Sequence, residues 1–240
     1  MVGLGILRRS RRLADRVARV LAGADLAEML PRLYGWSDRA TARAIQQQIQ
    51  RREEAIACSA GCSSCCHLAV PVTVPEAIAL AEALENLEPG RRDRIVARVI
   101  TVGHRLAEQP GVNRFTEALP CGFIDGGVCS VYAARPFACR GHHGQTRSGC
   151  EAIWQTGRWQ GRSIMAVDWV AHAIAAGLQT HLQRQGRDAQ LYELNGAVAA
   201  VLASGNRDRW QRGDHLPIAP ITPDAIQGDR GAERSDNGPA

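Results

Sequence analysis

Cys58-Ser-Ala-Gly-Cys62-Ser-Ser-Cys65-Cys66-His67-Leu-Ala-Val-Pro-Val-Thr73-Val-Pro75-Glu76-Ala77 holds four thiols in nine residues and then opens a helix. Thiolates two or three residues apart can turn inward on one ion, because a loop rich in Gly and Ser folds around it. Gly61 and the serines supply that freedom and offer hydrogen bonds to sulfur. The neighbours Cys65 and Cys66 point different ways along an extended chain. They therefore serve different ions, bridge within a cluster, or leave one thiol behind the other. Thr73 and Glu76 have the spacing of a capping box, and Pro75 lies in the first turn, where its missing N–H costs nothing.

Working outward, helical periodicity dominates. Residues 11–30 place Leu13, Val17, Val20, Leu21 and Leu26 on one face. Ser37 is read as the cap of a polar helix running to about Ala57, with Ile45, Ile49 and Ile56 as a thin apolar stripe. Ile78, Leu80, Leu84 and Leu87 give the helix after Thr73 its buried side. Pro89-Gly90 ends it, and 91–108 restarts with Ile95, Val99, Val102 and Leu106 at helical spacing. Two further helices are predicted at about 163–184 and 188–203. Between 110 and 162 the periodicity fails, and Gly, Pro, Cys and His become dense. There Asp125-Gly126-Gly127 separates two short runs as a tight hairpin would.

The remaining thiols fall in that irregular stretch. Pro120-Cys121 and Cys129 flank the hairpin turn, Cys139 follows the stiff corner Arg135-Pro136, and Cys150 comes last. The helices as read contain no cysteine, whereas buried structural cysteines would be scattered over apolar faces. The fold class expected is therefore mainly α: a helical domain with an irregular cysteine-rich metal-binding segment and a small β-hairpin. Its divisions are an N-terminal helical segment 1–57, a cysteine-cluster domain 58–218 and a disordered tail 219–240.

Composition narrows the chemistry. The chain has 240 residues, 45% hydrophobic and only 5% aromatic, enough to bury a core without covalent staples. Its 29 basic residues, all arginine, exceed 24 acidic ones by five, which reads as an ordinary solvated surface of a GC-rich, bacterial sequence. No stretch has the roughly 18 apolar residues of a membrane span. Met1 to Ala22 is interrupted by Arg8, Arg9, Arg11, Arg12, Arg16 and Arg19, so it is read as a surface helix rather than a secretory signal. A cytoplasmic, reducing location is expected, where eight cysteines point to metal ligation rather than disulfides. The arginine pairs lack interleaved aromatics, so no nucleic-acid partner is expected.

Several motifs occur in order: Cys58-x3-Cys62-x2-Cys65-Cys66-His67, then Val-Thr-Val-Pro-Glu-Ala, Pro120-Cys121, Gly127-Val-Cys129-Ser-Val-Tyr132, Arg135-Pro136, Cys139-Arg140-Gly141 and Cys150. Together they resemble the CxxCxxCC (YkgJ-type) cysteine-cluster family over about 58–152. Leu191-Tyr-Glu-Leu194-Asn within 163–203 resembles one of its subgroups. The resemblance implies chelation of zinc or iron. A related cysteine-rich segment occurs in flagellin lysine N-methylases, which are associated with an iron–sulfur cluster; nothing else here resembles such an enzyme.

The metal ligands expected are thus Cys58, Cys62, Cys65, Cys66, Cys121, Cys129, Cys139 and Cys150. One dense knot with dispersed partners suits an iron–sulfur cluster, [4Fe-4S] in kind, better than zinc, which commonly shows two separated Cys-x2-Cys knuckles. Arg135 and Arg140 are expected beside the cofactor, offsetting its charge. His67, His142 and His143 are read as lying behind the thiols, Tyr132 and Phe137 as packing around them, and Trp154, Trp159 and Trp169 as core. The function expected is metal binding with redox or electron transfer to a protein partner. The alternatives are an enzyme with an open cluster position, for example one linked to S-adenosylmethionine, and a zinc-stabilised interaction module. The spacing Cys58-x3-Cys62-x2-Cys65 is also that of radical S-adenosylmethionine enzymes, but no alternating strand–helix pattern follows it.

Overall fold

The computed structural model describes residues 2–50, 57–59, 61–108, 119–156 and 164–221. Helix α1 is Val2–Val20 and α2 is Leu26–Gln50. A 3-10 turn, Ser64–His67, leads through β1 (Pro71–Val72) to α3 (Val74–Leu84) and α4 (Pro89–Glu108). The hairpin β2 (Ile124–Asp125) and β3 (Val128–Cys129) follows, then a 3-10 turn at Tyr132–Ala134. Helices α5 (Phe137–Gly141), α6 (Arg147–Thr156) and α7 (Met165–Arg184) come next. The described chain ends with β4 (Tyr192–Glu193), α8 (Leu194–Leu202) and α9 (Asn206–Gln211).

The mainly α expectation holds, and α7 is the beam on which the N-terminal half rests. Val167, Ala171, Ile174, Leu178 and Leu182 recur every three or four residues and are all buried, so one side of α7 meets α1, α2 and α5. Two of these crossings are close: a Cβ on Gly177 would stand 2.5 Å from Val17 Cβ, and one on Gly141 2.5 Å from Ala171 Cβ. On the other side of the molecule α8 buries Leu194, Ala197, Val198 and Val201 against α3 and α4. The pair β1–β4 runs antiparallel, with Pro71 opposite Glu193 and Val72 opposite Tyr192, and thereby ties the chain after the cysteine knot to the start of α8.

Local sequence explains the best-read elements. Glu76 accepts hydrogen bonds on Oε2 from the Thr73 N–H (2.9 Å) and the Thr73 hydroxyl (2.8 Å), so the predicted box at the start of α3 is formed. Gly126 and Gly127 have φ of 59° and 83°, the positive values that a two-residue hairpin turn of this twist demands.

Other expectations are corrected. The chain breaks between α1 and α2 at Gly23, whose φ is 76°, instead of running on through 11–30. Ser37 caps nothing: it lies fully buried in the middle of α2, because the helix begins eleven residues earlier at Leu26. Ile49 is 59% exposed, so the thin stripe is not a core face, and Ile56 lies outside the described residues. The last predicted helix starts at 194, since Tyr192 and Glu193 are drawn into a strand. Cysteines are not confined to irregular chain: Cys139 lies in α5, Cys150 in α6, and Cys65 and Cys66 in the first 3-10 turn. The two short helices span only five and ten residues, too few for a clear apolar period. Of the expected tail, 222–240 lies outside the described residues, while the Ile221 N–H donates to the Leu191 carbonyl at 2.7 Å. Among the described residues no helix is long and apolar enough to cross a membrane.

Glu76 has a second task. Its Oε1 accepts from the Phe137 N–H at 2.9 Å, at the start of α5, and the residue is 1% exposed. Burial pushes its carboxyl up, and the Thr73 and Phe137 N–H groups oppose that push. One carboxylate therefore holds the starts of both α3 and α5. Glu76→Ala leaves these buried N–H groups unsatisfied and is expected to lower the unfolding free energy by about 3 kcal/mol. Glu76→Gln, which keeps one acceptor, is expected to cost about half of that; chemical denaturation of both variants checks the ratio.

Candidate metal centre

The segment Ala57–His67 is pinned at both ends. The Ala57 N–H donates to the Gly144 carbonyl at 3.1 Å, and the Gly144 N–H donates back to Cys58 Sγ at 3.3 Å. Gly61, at φ 84°, turns the chain, and Cys62 N–H bonds back to the Ser59 carbonyl. The 3-10 turn then presents Cys65 and Cys66 at successive positions and packs on α6. The Cys66 carbonyl accepts from the Cys121 N–H at 2.8 Å, so the two cysteine blocks, 55 positions apart, are joined by backbone. All eight cysteines are in the thiol form, none of them in a disulfide.

Four of them gather on the inner side: Cys66, Cys121, Cys129 and Cys139. The hairpin sets Cys129 opposite Ile124, whose N–H bonds to the Cys121 carbonyl, so this thiol pair flanks the turn as expected. Asn195 at the start of α8 accepts from the Gly122 N–H at 2.9 Å, and its Oδ1 stands 3.8 Å from Cys121 Sγ. Gly122 is required here: a Cβ would meet the backbone of Val99 in α4 at 2.6 Å. Burial pushes the Cys139 thiol well up, and the charges of Cys121, Cys66 and Cys129 push it further. Cys129 is pushed up to about 11, first by burial, with Cys121 and Cys66 adding to it and the Val131 N–H opposing.

Three others gather outside, around a cleft of about 560 Å³ that Cys58, Cys62 and Cys150 line together with Arg147 and Glu151. Cys62 is exposed, Cys58 half-buried and Cys150 buried. Burial raises Cys58, against the Gly144 N–H, and the Cys62 charge raises it further. Cys150 is pushed up to about 11 by burial and then by Cys58 and Cys62. Arg147 Nε meets Glu151 Oε1 at 2.8 Å on the rim. Cys65 is half-buried and does not line the cleft. Among the described residues, no group of three or more His, Cys, Asp or Glu side chains is drawn tightly enough to hold an ion as it stands. Thiol sites of this kind close as the protons leave and the ion enters.

The two arginines part company. Arg135 lowers Cys58, Cys129 and Cys139 alike, so its charge reaches both thiol groups. Its guanidinium lies 3.5 Å from the Tyr132 ring centroid, and Nε donates to the Tyr132 carbonyl at 3.2 Å. Arg140, expected beside the cofactor as well, is committed elsewhere. It is 3% exposed, donates to Asp38 at 2.5 Å, to the Arg135 carbonyl at 2.6 Å and to the Ala133 carbonyl, and sits over the Tyr34 ring. Its charge braces the corner before Cys139.

Burial pulls His142 down to about 4 and lowers His143, so both are neutral at ordinary pH, while His67 Nδ1 stands 3.3 Å from the Ser64 carbonyl. Phe137 is buried as expected and meets Tyr34 edge-on with centroids 5.0 Å apart. Tyr132 is 56% exposed, because its ring faces outward under Arg135. Trp169 is half-buried; Trp159 and the Trp154 side chain lie outside the described residues. Sequence reasoning passed over Gly144, Asn195, Arg147 and Glu151. Asn195 had a faint signal in the Leu191–Asn195 run; Gly144 acts through its backbone N–H and had none.

The donor chemistry fits a thiophilic metal. Four soft sulfur donors, Cys66, Cys121, Cys129 and Cys139, act electrostatically on one another on the inner side, with the Val131 N–H on Cys129 and the Arg135 charge opposing them. Comparison with curated proteins and with solved structures finds no match. Comparison with family models finds one, over residues 57–157, which begins one residue before Cys58 and ends seven after Cys150. This chain departs from the spacing in the family's name by one residue, having three between Cys58 and Cys62, where Gly61 makes its turn. Residues 57–157 match the model of the CxxCxxCC family, which is described as a "putative zinc- or iron-chelating domain".

Proposed function

We propose that this chain is a metal-binding protein whose inner thiols, Cys66, Cys121, Cys129 and Cys139, hold an iron–sulfur cluster that exchanges electrons with a protein partner. The observation that carries the reading is the convergence of four thiols from four separate pieces of chain: a 3-10 turn, the approach to a hairpin, its second strand and α5.

An iron–sulfur cluster supplies one-electron chemistry, at a potential governed by charge, hydrogen bonds to sulfur and exposure. This chain's residues act on each of these. Arg135 offsets negative charge and so favours the reduced form, the Val131 N–H serves Cys129, and Phe123 and Phe137 keep water from the inner side. Asn195 and Gly122 fix Cys121, while Glu76 and Arg140 fix the helix that carries Cys139. Four sulfurs would also satisfy one tetrahedral zinc ion.

Cys139→Ser is expected to remove the inner metal and lower the melting temperature, read by metal and sulfide analysis after anaerobic purification. Iron, acid-labile sulfide and a brown colour in the unaltered protein support the reading. A colourless protein with stoichiometric zinc and no sulfide replaces the cluster by zinc, and full metal content in Cys139→Ser refutes the ligand set.

Acidity supplies a second test. Burial and mutual repulsion raise Cys129 and Cys139, so without metal both carry protons at neutral pH, and each ligand must lose one on binding. Lowering the pH therefore favours the protonated, metal-free form. The apparent affinity for added Cd2+ is expected to fall steeply below neutrality, with close to one proton released per thiolate formed, as measured by titration at several pH values.

A further inference from the structure

We infer that the arginine face of α1 is a docking surface for an anionic membrane leaflet. α1 lies outside residues 57–157 and contributes no thiol, so this surface is independent of the metal-binding reading.

The first observation is where the charge sits. The whole chain has 29 basic residues against 24 acidic, a surplus of five. Residues 1–24 hold Arg8, Arg9, Arg11, Arg12, Arg16 and Arg19, six bases, against Asp15 alone, which is again a surplus of five. The remainder of the chain is therefore neutral. What composition presents as an evenly solvated surface is one charged helix on an uncharged body.

The second is direction. At about 100° per residue the six arginines share an arc of about 160°, while Leu13, Val17 and Val20 fall in the opposite arc. The fold respects this division. All six arginines are exposed, whereas Val17, Ala18 and Leu21 are buried on the side that packs on α7. The close crossing at Gly177 locks that side in place, so the basic side faces outward without any rearrangement. From Arg8 to Arg19 it runs about 17 Å along the helix.

The third is that these charges are unanswered. No ion pair among the described residues involves any of the six. Elsewhere Arg91, Arg92, Arg140, Arg147 and Arg207 each meet a carboxylate at 3.0 Å or closer. Arg8 and Arg12, and again Arg12 and Arg16, are like charges four residues apart, a spacing that weakens a helix. An anionic surface relieves that repulsion.

A leaflet suits α1 better than a nucleic acid does. The helix has no Asn, Gln or aromatic residue to join its arginines on bases. Apolar residues border the basic arc instead: Val20 is 52% exposed and Leu13 half-buried, and α1 opens on the uncharged run Val2-Gly-Leu-Gly-Ile-Leu7. Phosphates lying over hydrocarbon meet both kinds of side chain. The contact is peripheral, for among the described residues no helix is long and apolar enough to cross.

The test sediments the full chain with vesicles of phosphatidylcholine carrying about 30% phosphatidylglycerol, and with pure phosphatidylcholine, in about 0.1 M salt. Binding is expected to the anionic vesicles alone, and is expected to fall steeply in about 0.5 M salt. Each arginine at such a surface contributes about fivefold, so Arg12→Gln/Arg16→Gln/Arg19→Gln is expected to bind about 100-fold more weakly. The corresponding triple Lys variant keeps the charge and is expected to keep the binding. Arg43→Gln/Arg94→Gln/Arg212→Gln removes equal charge from other exposed positions and is expected to bind as the unaltered chain does. Every altered side chain is exposed, so all three variants are expected to retain the unaltered melting temperature.

Absence of the chain from sedimented anionic vesicles would overturn the inference, as would equal binding to pure phosphatidylcholine. Equal loss in both Gln variants would also overturn it, showing net charge acting without regard to position. Tighter binding to duplex DNA or RNA of about 20 base pairs in the same salt, lost in the α1 variant, would replace the leaflet by a nucleic acid.

Discussion

The carboxylate of Glu76 is the constraint on which the rest depends. It is buried, satisfies the first turn of α3 with one oxygen, and with the other satisfies the first residue of α5. A charged group in such a place costs stability unless every lone pair finds a donor, and here Thr73 and Phe137 provide them. The consequence is geometric. The helix that leaves the first cysteine block and the helix that carries Cys139 are set against each other by hydrogen bonds with little tolerance in length. Arg140 completes the joint from the other side, bonding to the Arg135 and Ala133 carbonyls and to Asp38.

Around that joint the fold uses backbone where a sequence reader looks for side chains. Cys121 N–H to the Cys66 carbonyl, Ala57 N–H to the Gly144 carbonyl and Gly144 N–H to Cys58 bring the blocks together. Adjacent thiols are then distributed to different neighbours, because a tight 3-10 turn rotates each successive side chain by about 120°. Cys66 goes inward, whereas Cys58 and Cys62, earlier in the same loop, stay at the cleft.

Much of this was legible in the residues. The capping box at Thr73–Glu76, the hairpin at Gly126-Gly127 and the apolar repeats of α3, α4 and α7 are local codes, and the chain obeys them. What was not legible is long-range. Ser37 looked like a cap because Ser often is one, but the packing of α2 on α7 extends the helix past it and buries it. Helices α5 and α6 escaped because five or ten residues show little periodicity, and their neighbours hold them. Arg140 sits next to a cysteine in sequence yet turns its charge away, while Arg135, four residues from Cys139, reaches both thiol groups. The division of the eight thiols could not be seen at all, since it depends on where α6 returns.

The Gly126-Gly127 turn also has a bearing on time. A two-residue hairpin is a local event that closes in microseconds, far sooner than contacts between distant segments form. Because its register is written by two glycines, Cys121 and Cys129 are brought near each other before α5 or the 3-10 turn has arrived. A nascent chain thus offers a two-toothed claw early, and the later thiols complete a grip instead of searching for one.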